Sequence, residues 1–217
     1  MNRTITVRGT GRVSLRPDTV VVSMTLTTLD KDYDRSMSLS AGLLDGLRAA
    51  LAGIGFGEKD LKTTRFNVSA QHDSVRDENG GYKSVFMGYS CTHGLKLEFA
   101  LDTALLSKVL SAVSRSIADP ELNIRFTVSD PDAAADELLA SAAANARHKA
   151  EVLAAASGAA LGQLVTIDYN WGELNVYSRT EYGMDRKCMA MASPANMSFE
   201  PEDIDLSDSA AFVWELL

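Results

Sequence analysis

The chain has 217 residues, 46% of them hydrophobic and 23% charged, with a net charge of −8; this suffices for one substantial core or two smaller ones. The acidic balance, with no basic run interleaved with aromatics, argues against a protein that grips nucleic acid by neutralising phosphates. No segment approaches the roughly 20 apolar residues of a bilayer-spanning helix, and Cys91 and Cys188 follow no metal-ligand spacing.

Polar and apolar residues alternate from Thr4 onward, the pattern of a strand. A secretory signal instead needs a continuous apolar run of roughly 7–15 residues, so the expectation is a soluble, cytoplasmic protein with reduced thiols. Whether Cys91 and Cys188 pair is left open. Ile5, Val7, Val13 and Leu15 flank Gly9-Thr10-Gly11, which reads as a strand with a glycine-marked bend or bulge. After Arg16-Pro17-Asp18, residues 19–29 resume as a half-buried strand carrying Val20, Val22, Met24 and Leu26 on one face.

The period then changes. Tyr33, Met37, Ser40, Leu44, Leu47, Leu51 and Ile54 recur at steps of three and four, which predicts an amphipathic helix over 32–54, closed by Gly53, Gly55 and Gly57. Thr64, Phe66, Val68 and Ala70 give a strand. Residues 73–81 are polar and end in Asn79-Gly80-Gly81, a turn signal; a long strand follows over 84–100, with Tyr89, Cys91, His93, Leu95, Leu97 and Phe99 in phase. The two strands read as a hairpin with a polar tip.

Asp102 is placed to cap a helix carrying Leu105, Leu106, Val109, Leu110, Val113 and Ile117, stopped by Asp119-Pro120. Residues 122–128 form a strand. Asp130-Pro131-Asp132 combines a capping acid, proline at the first helical position and an acid in the first turn. The alanine-rich helix it opens runs to Ser157-Gly158, with Leu138, Leu139, Ala142, Ala146, Ala150 and Leu153 as its expected contacts. A strand from Leu161-Gly162 places Val165, Ile167, Tyr169 and Trp171 on one face. Residues 172–203 are irregular, and a last strand spans 205–216. With no regular strand–helix alternation, the fold class is α+β: mixed or antiparallel sheets packed with three main helices. The chain reads as a single domain over 1–217, or two intimately packed lobes.

Several short patterns occur in order: Val7-Arg8-Gly9-Thr10-Gly11, Pro17-Asp18, Asp60-Leu61-Lys62-Thr63, Gly88-Tyr89, Ala146-Arg147-His148-Lys149-Ala150-Glu151, Leu161-Gly162 and Phe199-Glu200-Pro201-Glu202-Asp203-Ile204. Together they resemble the SIMPL-domain family (bacterial periplasmic immunogenic protein-like), over nearly the whole chain. The resemblance implies an α+β fold and self-assembly into large rings or shells. It implies no established enzymatic activity, and it carries no catalytic residues to this chain. A link to stress tolerance is implied by it alone. Two departures stand out: relatives look exported, and Glu202 follows the proline where the family has glycine.

Chemistry-bearing residues are few. Gly9-x-Gly11 lacks the helix that a phosphate loop must precede. His72, His93 and His148 lie on different elements, and only Cys91 and His93 share a strand face, two ligands short of a metal site. Met184, Cys188, Met189, Met191 and Met197 are soft ligands for Cu(I) in type, or packing side chains of a loop. Asp130/Asp132 and Glu202/Asp203 read as a helix cap and a solvated turn. No Gly-x-Ser-x-Gly elbow is present. The first reading is thus a non-enzymatic, self-assembling scaffold or binding protein, with no cofactor, no catalytic or metal residues, and a protein partner and ligand left unnamed. The alternatives are a small-molecule or soft-metal binding protein using Cys91, His93 and the Met-rich loop, and a cryptic hydrolase.

Overall fold

The computed structural model describes residues 3–76, 81–170, 174–184 and 199–217. Among them are eight strands, β1 (Thr4–Leu15), β2 (Thr19–Asp30), β3 (Leu61–Arg76), β4 (Tyr82–Ala100), β5 (Glu121–Thr127), β6 (Leu161–Asp168), β7 (Tyr177–Met184) and β8 (Ile204–Leu216). The helices are α1 (Tyr33–Ala52), α2 (Thr103–Arg115) and α3 (Pro131–Ala156). The class is α+β, as expected. The chain divides into two compact units, the first built from residues 1–18, 127–179 and 201–217, the second from 19–126 and 180–200.

In the first unit, three strands in the order β1-β8-β6 form an antiparallel sheet, and α3 packs against it. The first and last strands of the chain are thus direct neighbours, from Thr4↔Glu215 to Leu15↔Ile204 without a register shift. That corrects the expected bend or bulge at Gly9-Thr10-Gly11. The glycines serve another purpose: a Cβ on Gly11 would stand 2.1 Å from the carbonyl oxygen of Leu138. They let α3 lie directly on the strand.

The helix answers with small residues. Its buried positions are Ala134, Leu138, Ala142, Ala146, Ala150 and Ala154, every fourth residue. Steps of four overshoot the 3.6-residue turn by about 40° each, so the stripe winds around the helix. Leu139 and Leu153, expected contacts from a mixed three-and-four spacing, fall off it; Leu153 is half exposed.

Polar side chains on α3 follow the same four-residue rhythm. Thr10 N–H donates to Asn145 Oδ1 (3.0 Å), Arg12 N–H donates to Ser141 Oγ (3.2 Å), and Lys149 Nζ donates to the Arg8 carbonyl (3.1 Å). Four helical residues advance about 6 Å, and two strand residues about 6.7 Å. One turn of α3 therefore serves every second residue of β1, and the outer edge of that strand is closed by side chains.

In the second unit, five strands run in the order β3-β4-β2-β5-β7. α1 packs on β2 and β4, and α1 and α2 touch each other. The core gathers Val20, Met24 and Leu26 of β2, Leu95 and Leu97 of β4, and the α1 and α2 stripes. Each fully buried leucine there contributes about 2 kcal/mol. Asp102 and Asp130 cap their helices as expected, accepting from Leu105 N–H at 3.0 Å and Ala133 N–H at 2.8 Å.

Candidate functional site

Cys91 and His93 do share the inner face of β4, and both are buried. His93 Nε2 lies 3.0 Å from Thr63 Oγ1, and its ring stands edge-on to Phe66 with centroids 5.1 Å apart. Burial, reinforced by the positive charge of Arg48, holds the His93 pKa below its ordinary value. The ring is therefore neutral at neutral pH. A hydroxyl beside a histidine is half of a nucleophile–base pair, but the base needs an acid to orient and charge-balance it. The charge acting on His93 is a cation, which opposes imidazolium formation, and among the described residues no carboxylate is bonded to it.

Among the described residues no three His, Cys, Asp or Glu side chains converge as metal ligands would. His72 and His93 sit at separate points of the β3–β4 pair, and His148 is exposed on α3. Met184 packs against the core of the second unit. Cys188, Met189, Met191 and Met197 lie outside the described residues, so the Met-rich segment and a Cys91–Cys188 pairing stay expectations. Asp132 occupies the first turn of α3, and the Glu202 carbonyl accepts from Ser178 Oγ at 2.7 Å.

The most distinctive surface feature is the outer half of the β3–β4 pair. β2 stops at Asp30, paired with Tyr89, whereas β3 and β4 continue together from His72↔Phe86 to Arg76↔Tyr82. Beyond the end of β2 they form a two-stranded arm. Gly88 marks its root: φ is +145°, and a Cβ would stand 2.5 Å from the Asp30 carbonyl oxygen. Only glycine meets both conditions. A register shift between Gln71 and His72 lies opposite. Aromatic edges brace the root, with Phe86 against His72 (5.5 Å) and Tyr89 (5.3 Å), and Tyr89 against Tyr33 (5.5 Å).

Past that root both strands are exposed on both faces. Even so the arm carries Val75, Tyr82, Val85, Phe86 and Met87, and Tyr82 is 78% exposed. Residues 73–76 are strand, where a polar hairpin tip was expected from 73 onward. Pairing supplies their backbone bonds, and with water on both sides no apolar face is required.

A second feature is β6, which among the described residues is an edge of the first unit's sheet. Leu164, Val165 and Ile167 are each about half exposed there, although Val165 and Ile167 alternate as a buried face would. The arm and this edge were both missed as surfaces from sequence. The arm shows only in the observed strand lengths, 16 and 19 residues for β3 and β4 against 12 for β2.

None of the described helices is long and apolar enough to cross a membrane. The SIMPL family model, described as "Protein of unknown function (DUF541)", matches residues 5–214. The chain is similar to the 26 kDa periplasmic immunogenic proteins of Brucella melitensis biotype 1 and Brucella abortus (strain S19), 24% identical to each over 163 residues. That stretch is 75% of this chain and 65% of each relative, so the match spans less than two thirds of the curated proteins' length. A family match that runs from the first strand to the last makes this chain a member of the SIMPL family.

Proposed function

We propose that this protein is a non-enzymatic, self-associating scaffold or binding protein, and that copies of the chain meet through the β3–β4 arm. The exposed apolar arm carries this reading. An isolated two-stranded ribbon is marginal in water, and apolar side chains on both of its strands gain stability once a second surface covers them. The half-exposed β6 strand is an edge among the described residues and offers further backbone for pairing. The hydroxyl–imidazole contact, Thr63 Oγ1 to His93 Nε2 at 3.0 Å, has no carboxylate bonded to the ring among the described residues.

The curated relatives are periplasmic by name. We infer the same compartment for this chain, in place of the cytoplasmic expectation; fractionation of the native cell locates it.

Light scattering behind size-exclusion chromatography tests the assembly. Wild type is expected to give a discrete mass several times 23.4 kDa, and the triple variant Val75→Thr/Tyr82→Thr/Val85→Thr a monomer, since threonine keeps strand propensity while removing apolar surface. A wild-type monomer overturns the reading.

A further inference from the structure

The α3–β1 contact has more donors than it uses. Because Asn145 Oδ1 accepts from Thr10 N–H, the Nδ2 group of that amide is turned the other way, with two protons to give. Lys149 Nζ is held on the Arg8 carbonyl and keeps two more. Arg12 enters the seam only through its backbone, and its guanidinium has no ion-pair partner among the described residues. Thr10, Arg12, Ser141, Asn145 and Lys149 line a concavity of about 400 Å³ in the first unit.

Among the described residues no carboxylate lines this concavity, in a chain whose net charge is −8. Closing the strand edge accounts for two bonds from Ser141, which accepts from the Arg12 N–H and donates to the Arg12 carbonyl, and for one each from Asn145 and Lys149. It does not account for two cations: a neutral donor would serve the Arg8 carbonyl, and the Arg12 side chain takes no part. The adjoining hollow, which shares Arg12, differs in containing Asp205.

We propose that the concavity binds a small oxyanion, a phosphate or carboxylate group, free or carried on a small molecule. Arg12 supplies a planar fork suited to two oxygens, and Lys149 a second, positioned charge. The Asn145 Nδ2 group and the Thr10 hydroxyl orient the ligand. The volume falls in the range of small-molecule sites and leaves room for an organic body beside the anionic group.

Equilibrium dialysis of the full chain against radiolabelled inorganic phosphate, at constant ionic strength, tests this and reads binding whatever the oligomeric state. The expected result is saturable uptake approaching about one phosphate per chain, weakened about tenfold or more by Arg12→Gln and by Lys149→Gln. Lys149→Gln keeps a donor for the Arg8 carbonyl, and Arg12→Gln leaves the backbone bonds in place; unchanged urea midpoints confirm that both variants fold. Displacement of the label by a phosphate monoester or by citrate then identifies the carrier chemistry, phosphate or carboxylate. Absence of saturable uptake up to about 50 mM, or uptake equal in wild type and both folded variants, overturns the proposal.

Discussion

Gly9 of β1 and Ala146 of α3 meet so closely that a Cβ on the glycine would stand 2.6 Å from the alanine Cβ, and 2.1 Å from the Ala142 carbonyl oxygen. The second of those neighbours is helix backbone and has no rotamer to change. Gly9→Ala therefore has to lift the strand from the helix or distort one of them, at a cost of about 2–3 kcal/mol. Gly11→Ala meets the Leu138 carbonyl at the same 2.1 Å and should cost as much. Urea unfolding measures both, and a loss below about 0.5 kcal/mol would show that the contact is looser than described.

Asn145 offers a sharper test of the seam. Asn145→Ala leaves the Thr10 N–H without its acceptor and should lower stability by about 1 kcal/mol. Asn145→Asp keeps an oxygen for that N–H and should recover most of the loss. If the two substitutions have equal midpoints in urea, the hydrogen bond contributes nothing.

How much of this was legible beforehand depends on which residues answered to a local rule. Asp102, Asp130 and Pro131 act within one helical turn, and their capping roles are what their positions predict. Val20, Val22, Met24 and Leu26 alternate along a strand with a helix-covered face, and all four are buried. Gly9 and Gly11 were visible as a motif, but their reason was not, because it lies in Leu138, Ala142 and Ala146, some 130 residues away along the chain. The same holds for Gly88, whose constraint comes from Asp30. Val165 and Ile167 misled for the opposite reason: alternation reports a face, and only topology tells whether a neighbour covers it. The pairing of Cys91 with His93 on one face was legible, and their chemistry was not, since the cation that acts on the ring belongs to α1.

His93 predicts a pH dependence. Its folded pKa is lowered below the ordinary 6.5, first by burial and then by Arg48. The unfolded chain therefore takes up a proton that the folded chain refuses as pH falls past about 6.5. Stability is whole above that pH and declines below it, toward the lowered folded value. His93→Gln, which retains an amide to meet Thr63, should flatten the decline below about pH 6.5 in urea titrations. Parallel curves for the two proteins would remove His93 as its source.

The arm predicts that assembly and stability come apart. None of its described residues, 72–76 and 82–87, belongs to the buried core of the second unit. β2 keeps its partner without it, since its pairing with β4 begins at Tyr89. Replacing residues 73–86 by a short turn should thus leave the thermal midpoint within about 4 °C of wild type, equivalent to less than about 1 kcal/mol. Self-association should be lost, because the removed segment carries Val75, Tyr82, Val85 and Phe86, all exposed in the single chain. Gly88→Ala makes the complementary case. It leaves the arm's own residues in place but strains its root at φ +145° against the Asp30 carbonyl, so it should weaken assembly and also lower stability by about 1–3 kcal/mol. Scattering mass and thermal unfolding, recorded on the same samples, separate the two effects. An assembly that survives the shortened arm would move the contact to the β6 edge, where Leu164→Lys and Ile167→Lys would then dissociate it.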